Sequence, residues 1–153
     1  MIETGQSAPD FTLPRDGGET LTLSAQKPRN VVLYFYPRAD TSGCTKQAAG
    51  FTAHLDAFAA ANTVVIGVSK DPVKKLDKFR DKHGLSVALV SDEESTVCED
   101  WGVWVEKQMY GKTYMGIERA TFLIDGTGTV RNIWRKVKVP GHVEEVLEAV
   151  KAL

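Results

Sequence analysis

The sequence predicts an α/β fold with a mixed central sheet and helices on both faces, formed by a single domain over residues 1–153. Two nearly continuous apolar runs, residues 31–36 and 63–69, indicate buried strands. A segment with apolar residues at helical spacing follows each run. Two later short runs flank residues 126–128 and indicate an antiparallel hairpin.

The first part of the chain predicts one extended piece, one buried strand and one helix. Residues 8–13 are expected to be extended, with a turn at Asp16-Gly17-Gly18. The strand over residues 31–36 ends at Pro37, which lacks the N–H that a strand needs. A helix of about residues 42–61 is predicted by four apolar residues at helical spacing, Ala48, Phe51, Leu55 and Phe58.

After the strand at residues 63–69, a second helix is expected to begin at Asp71-Pro72. Aspartate is a favoured N-cap and proline a favoured first helical residue, so the pair predicts a helix start. This helix is expected to end near His83-Gly84, because glycine is the preferred residue just beyond a helix. A short strand is predicted over residues 87–90.

The last part of the chain predicts a short helix, the hairpin and a terminal helix. The short helix is expected to start at residues 91–93 and to run through residue 101. The hairpin strands are residues 120–125 and 129–134. The terminal helix follows Pro140-Gly141 and has an apolar side of Val143, Val146, Leu147 and Val150. This order of elements resembles the thioredoxin fold.

Composition and charge exclude several classes of partner. The formal net charge is −1, which argues against nucleic acid or an anionic membrane as a general partner. No apolar run is long enough to span a bilayer, and the first residues show no secretory signal. A cytoplasmic location is therefore expected. In that reducing compartment, the two cysteines are expected to be free thiols.

Cys44 stands where a strand gives way to the start of a helix. An ordinary cysteine thiol has a pKa of about 8.5, so only about 3% is thiolate at pH 7. Unpaired N–H groups and the helix dipole stabilise a negative charge in the first turn, and a nearby arginine would add to this. Gly43 permits close approach of a ligand, and Thr41 offers a hydroxyl to cap the helix or to contact the ligand. The alternative is that Cys44 is an inert core residue, as buried cysteines often are.

The pattern Pro37-x-x-x-Thr41-x-x-Cys44 resembles the active-site motif of peroxiredoxins. In particular the chain is similar to the subgroup called bacterioferritin comigratory protein, or PrxQ. Segments that carry the resemblance are residues 5–11, 34–37, 43–46, 89–93, 110–117, 119–122 and 137–142. The resemblance therefore covers essentially the whole chain.

The resemblance implies a thiol-dependent peroxidase that reduces hydrogen peroxide and organic hydroperoxides, an antioxidant role in cell redox homeostasis. Cys44 would be the peroxidatic cysteine, which attacks one peroxide oxygen and becomes a sulfenic acid. Thr41 and the backbone N–H of Cys44 would bind the peroxide, and Pro37 would shield the site from water. Arg119 would stabilise the thiolate and the charge on the leaving oxygen. For a lone arginine the alternative is a surface ion pair.

The chain departs from its relatives at the resolving cysteine. Many PrxQ proteins carry it five residues after the first cysteine, where this chain has Ala49. Another subgroup carries it at a position that matches Arg80 here. The candidate that remains is Cys98, whose alternative role is that of a buried structural thiol. A disulfide between Cys44 and Cys98 requires Cα atoms within about 7 Å.

Three routes for reducing the sulfenic acid stay open. A small thiol, a thioredoxin or a glutaredoxin could attack it directly in a one-cysteine mechanism. Cys98 could resolve it after a local rearrangement. Alternatively, Ala49 is an engineered replacement of a native resolving cysteine. The sequence specifies neither the preferred peroxide nor the reductant, and the subgroup resemblance suggests a monomer.

Two other classes of function compete with the peroxidase. A thiol–disulfide oxidoreductase on the same fold uses Cys-x-x-Cys, and here Gln47 occupies the partner position. A redox sensor or chaperone would react once with peroxide, whereas an enzyme turns over with a reductant. No cofactor and no metal are expected, because His54, His83 and His142 lack metal-ligand spacing and are expected to be solvated or capping residues.

Overall fold

The computed structural model describes all 153 residues. The strands are β1 (Thr12–Pro14), β2 (Thr20–Thr22), β3 (Asn30–Phe35), β4 (Thr63–Ser69), β5 (Ala88–Ser91), β6 (Trp104–Met109), β7 (Lys112–Ile117), β8 (Ala120–Ile124) and β9 (Val130–Trp134). The helices are α1 (Ser42–Ala53), α2 (Leu55–Ala60), α3 (Val73–His83), α4 (Val97–Asp100) and α5 (His142–Lys151), with a short 3₁₀ turn at Ser24–Gln26. None of the helices combines the length and the apolar composition that a membrane span requires.

Five strands form the central sheet in the order β5-β4-β3-β8-β9. The pairs β3–β4 and β4–β5 are parallel, while β3–β8 and β8–β9 are antiparallel. The mixed sheet and the hairpin around residues 126–128 are therefore as predicted. The extended piece predicted at residues 8–13 is shifted, since β1 pairs with β2 across the predicted turn at residues 16–18.

Alternate residues of β3 point into two separate hydrophobic cores. Val31, Leu33 and Phe35 pack in the first core, which includes residues of the β1–β2 hairpin and of α4. Val32 and Tyr34 pack in the second core, with residues of α1, α2, α3 and α5. The period of two that separates the faces of a strand thus separates these cores. Helices lie on both faces, four of them on one and only the short α4 on the other.

The prediction of a single helix over residues 42–61 is wrong, because the chain forms two helices that meet at His54. The backbone N–H of His54 donates to the carbonyl of Phe51 instead of continuing the α-helical pattern. The ring Nδ1 of His54 lies 2.9 Å from the Gly50 carbonyl, which accepts its hydrogen bond. The side chain thus competes with the backbone for the carbonyl that would continue the helix.

The predicted capping of α3 by Asp71 is also wrong, since Pro72 is the N-cap residue and Asp71 precedes it. The Asp71 carboxylate instead accepts hydrogen bonds from the Ala39 N–H at 2.7 Å and the Ser69 hydroxyl at 2.8 Å. It therefore holds the loop after β3 to the end of β4. The predicted helix end is correct, with Gly84 in the left-handed region at φ 61°.

The helix predicted to start at residues 91–93 begins later, at Val97. The fully buried Asp92 carboxylate accepts hydrogen bonds from the N–H groups of Val97 at 3.1 Å and Cys98 at 2.8 Å. Lys70 also pairs with this carboxylate at 3.1 Å. Asp92, which lies outside the helix, thus accepts hydrogen bonds from N–H groups in the first turn of α4 that have no partner within the helix. Residues 93–96 form a loop.

The hairpin of β6 and β7 was not predicted from the sequence. Its strands pair from Trp104↔Ile117 to Met109↔Lys112, and its two-residue turn places Tyr110 and Gly111 at positive φ, 53° and 77°. Most of its side chains are exposed or half-buried, so it has no apolar alternation of the kind that marks a strand. The Glu118 N–H donates to the Val103 carbonyl at 2.7 Å and closes the base of the hairpin.

Candidate active site

Cys44 lies in the first turn of α1, directly after the loop that follows β3. Its side chain is 1% exposed and belongs to the second core. The first backbone hydrogen bond of the helix runs from Thr45 N–H to the Thr41 carbonyl, at 2.8 Å. The N–H groups before Thr45 have no intrahelical acceptor, and they favour a negative charge at the helix start.

Arg119 directly precedes β8, the strand that pairs with β3, and its side chain reaches Cys44. The register pairs Phe35 with Ala120, so the residue before β8 lies beside the end of β3 that leads into the Cys44 loop. Arg119 Nη2 donates to Cys44 Sγ at 3.3 Å, and Nη1 donates to Gln47 Oε1 at 2.6 Å. The guanidinium is therefore held by two side chains of α1 and faces the sulfur. It is not the surface ion pair considered as the alternative.

Gln47 contacts Arg119 in this site, a role that was not predicted from the sequence. It is fully buried, one turn after Cys44, and its amide Nε2 has no hydrogen-bond partner. Burying a glutamine amide in an apolar core costs free energy unless the amide is hydrogen-bonded. A buried glutamine therefore indicates that its side chain has a polar partner. The helical spacing of Cys44 and Gln47 was the signal that could have identified it.

Thr41 is the N-cap residue of α1, but its hydroxyl makes no capping hydrogen bond. The hydroxyl instead donates to the Arg38 carbonyl at 3.0 Å, and the side chain is exposed. Its oxygen lone pairs remain available as acceptors. Pro37 is half-buried at the end of β3, between that strand and the loop.

The loop before Cys44 is fixed by ionic contacts to α3. Asp40 has a left-handed backbone at φ 62°, and its carboxylate accepts from His83 Nε2 at 2.7 Å and Lys82 Nζ at 2.9 Å. Hydrogen bonds from His83 and Lys82 lower the pKa of Asp40. Together with the Ala39–Asp71 contact, these pairs set the path of the chain into α1.

The three histidines do not form a common site. His54 bonds a backbone carbonyl and His83 pairs with Asp40. The expectation that His142 is solvated or capping is wrong, because it is 3% exposed and its Nε2 lies 2.8 Å from the Thr121 hydroxyl. Burial lowers the pKa of His142. No three His, Cys, Asp or Glu side chains are grouped so as to hold a metal ion.

Cys98 is not brought to this site. It is fully buried in the first core, whereas Cys44 belongs to the second core on the opposite face of the sheet. Burial and the Asp92 carboxylate raise the pKa of the Cys98 thiol, which disfavours its nucleophilic form. Both cysteines are free. A disulfide between them would require one thiol to leave its side of the sheet.

The two positions at which the resemblance implies a resolving cysteine lie on α1 and α3, two helices that pack in the second core. Ala49 is an exposed residue of α1, next to the buried Ala48. Arg80 on α3 pairs with Asp16 at 3.1 Å and with Asp81 at 2.9 Å. Neither side chain contributes a thiol, so no internal disulfide can form at these positions.

Comparisons with protein families, with known sequences and with solved structures all find peroxiredoxins. Residues 4–133 match the AhpC/TSA family. Peroxiredoxin Bcp of Bacillus subtilis is 49% identical over 150 residues, which cover 98% of this chain and 96% of that protein. The structure of a Xylella fastidiosa PrxQ mutant superposes with a TM-score of 0.94 at 40% identity, covering 99% of this chain and 97% of that one.

A further similar structure has a known activity. It is the bacterioferritin comigratory protein of Xanthomonas campestris, described for its alkyl peroxide reduction activity in trapped intermediate and ligand complexes. It superposes with a TM-score of 0.88 at 44% identity and covers 93% of this chain and 90% of that one.

Proposed function

Because this chain belongs to the AhpC/TSA family and is a peroxiredoxin of the Bcp/PrxQ group, we propose that Cys44 is its peroxidatic cysteine. The fold is the thioredoxin-like fold of that group, and the protein is a thiol-dependent peroxidase. The observation that carries the assignment of Cys44 is the hydrogen bond from Arg119 to its sulfur at 3.3 Å.

The chemistry begins with attack of the Cys44 thiolate on one oxygen of hydrogen peroxide or of an organic hydroperoxide. An S–O bond forms and the O–O bond breaks, so the sulfur is oxidised to a sulfenic acid and the peroxide is reduced. The leaving oxygen takes up a proton and departs as water or an alcohol. In this proposal Arg119 stabilises both the thiolate and this developing charge, and its hydrogen bond to the sulfur supports that role.

Thr41 and Pro37 complete the proposed site. The Thr41 hydroxyl donates to the Arg38 carbonyl, so its oxygen is left to accept a hydrogen bond from the peroxide O–H. The Cys44 N–H, in the first turn of α1, is available as a donor to a peroxide oxygen. Pro37 covers the side of the site formed by the end of β3 and limits the access of water.

An external thiol is the reductant that we propose for the sulfenic acid. The support is the separation of Cys98 from Cys44 by the central sheet, together with Ala49 and Arg80 at the two familiar resolving positions. The mechanism is therefore of the one-cysteine kind in this chain, whether Ala49 is natural or an engineered replacement. The monomeric state, the cytoplasmic location and the single domain over residues 1–153 stay predictions.

Intact mass spectrometry after one equivalent of hydrogen peroxide tests the proposed function. With a sulfenic-acid trap present, we expect one adduct, located on Cys44 by peptide mapping. Loss of two hydrogens without an adduct would show that Cys98 closes a disulfide and that the external-thiol route is wrong. No reaction within seconds would contradict the assignment of Cys44 itself.

Replacing Gln47 by alanine is expected to slow the oxidation of Cys44 by about tenfold. The substitution removes the acceptor that holds Arg119 Nη1 at 2.6 Å, so the guanidinium loses its fixed orientation toward the sulfur. The measurement is the second-order rate constant with hydrogen peroxide. Gln47→Glu keeps an acceptor for Arg119 and should retain more of the rate than Gln47→Ala. Equal rates for Gln47→Ala and the unmodified protein would show that Gln47 does not position Arg119.

A further inference from the structure

A second cation, Lys107, extends along the strand that leads to Arg119. It is on β6 opposite Tyr114 of β7, and it is half-buried. Its methylene groups lie along Gly116, where a Cβ would be 3.2 Å from Lys107 Cδ and 3.5 Å from Cε. Gly116 is three residues before Arg119, so the hairpin carries the lysine along the segment that leads into the site.

Electrostatic coupling agrees with this placement. Burial and the Arg119 guanidinium lower the pKa of Lys107, whereas Cys44 and Glu118 act in the opposite direction. The ammonium group makes no ion pair. Glu118, the carboxylate that acts on Lys107, is itself paired with Arg135 at 2.7 Å. Lys107 is thus a cation without a carboxylate partner.

Oxidation of Cys44 changes the charge balance of this region. The reduced thiolate carries a negative charge that offsets Arg119 and Lys107, but a sulfenic acid is neutral. Two cations are then left at a half-buried place where their field is poorly screened. The site is therefore most attractive to an anion in the one state that awaits a reductant, whereas a neutral peroxide gains nothing from the extra charge.

We propose that Lys107 is a specificity-determining residue for the reductant, selecting a small thiol that carries a second negative group near its sulfur. This inference rests on the proposed role of Cys44. The thiolate of the reductant attacks the sulfenic sulfur, an S–S bond forms, the S–O bond breaks and the oxygen leaves as water with two protons. A second molecule of the same thiol then releases the Cys44 thiol and forms the small-molecule disulfide.

Three thiols that share a two-carbon chain test the charge preference. They are 2-mercaptoethanesulfonate, 2-mercaptoethanol and cysteamine, whose second groups are anionic, neutral and cationic. The full chain is oxidised with one equivalent of hydrogen peroxide, and the loss of trappable sulfenic acid is followed by mass spectrometry. Rate constants are expressed per thiolate. At low ionic strength we expect the sulfonate to react about tenfold faster than cysteamine, and salt to reduce this ratio.

The variants isolate the contribution of Lys107. Lys107→Met should reduce the ratio to below about threefold, and Lys107→Arg should retain it because the charge is kept. Lys112→Met is the matched control, since Lys112 is an exposed lysine at the far end of the same hairpin, and it should leave the ratio unchanged. An equal ratio in Lys107→Met and the unmodified protein, or no preference in the unmodified protein, would overturn the inference. Failure to form sulfenic acid in the unmodified protein would overturn the proposed function first.

Discussion

Replacement of Cys44 by serine is expected to reduce peroxide consumption to the uncatalysed background. A serine hydroxyl is not ionised at neutral pH, and it cannot form the sulfenic acid on which turnover depends. The side chain is 1% exposed and of similar size, so the fold should be retained. The measurement is hydrogen peroxide loss in the presence of a thiol reductant, with circular dichroism to verify folding.

Cys98→Ser is the companion variant, because it removes the other thiol of the chain. We expect it to retain both the trapped adduct on Cys44 and turnover with an external thiol. Equal turnover in Cys44→Ser and in the unmodified protein would disprove the assignment of Cys44. A loss of turnover in Cys98→Ser, with oxidation of Cys44 unchanged, would instead identify Cys98 as the resolving residue.

Replacement of Arg119 by methionine is expected to lower the rate constant for Cys44 oxidation by roughly 10²–10³-fold. That is the usual cost of removing one donor aimed at developing charge, about 2.7–4 kcal/mol. Arg119 is the residue that we propose for this role, and its Nη2 lies 3.3 Å from the sulfur. Stopped-flow measurement of single-turnover oxidation by hydrogen peroxide isolates this step from the reductant.

Lysine at position 119 should restore only part of the rate. A lysine keeps the charge but has no planar fork, so it cannot contact Gln47 Oε1 and Cys44 Sγ at once. Arg131→Met is the matched control, because Arg131 is an exposed arginine of β9 that pairs with Asp125 alone. If Arg119→Met and Arg131→Met oxidised at the same rate, Arg119 would have no part in the reaction.

Much of the architecture was predictable because it depends on local patterns. The strands over residues 31–36 and 63–69 and the apolar side of α5 follow from periodicity, and the end of α3 follows from Gly84. The errors arose where a side chain formed the hydrogen bond to a backbone group at a helix end. The His54 ring bonds the Gly50 carbonyl and divides one helix into two, and Asp92 bonds the start of α4 from outside it.

The sequence by itself determined the family and the position of Cys44 at a helix start, since both are properties of short segments read in order. The resemblance implied that Arg119 acts on the sulfur, but only the tertiary structure brings the two together and adds Gln47. Arg119, 75 residues away, meets Cys44 because β8 pairs with β3 in a particular register. Cys98 lies beyond the sheet for the same reason: the order of strands, set by burial of the whole chain, decides which face each segment reaches.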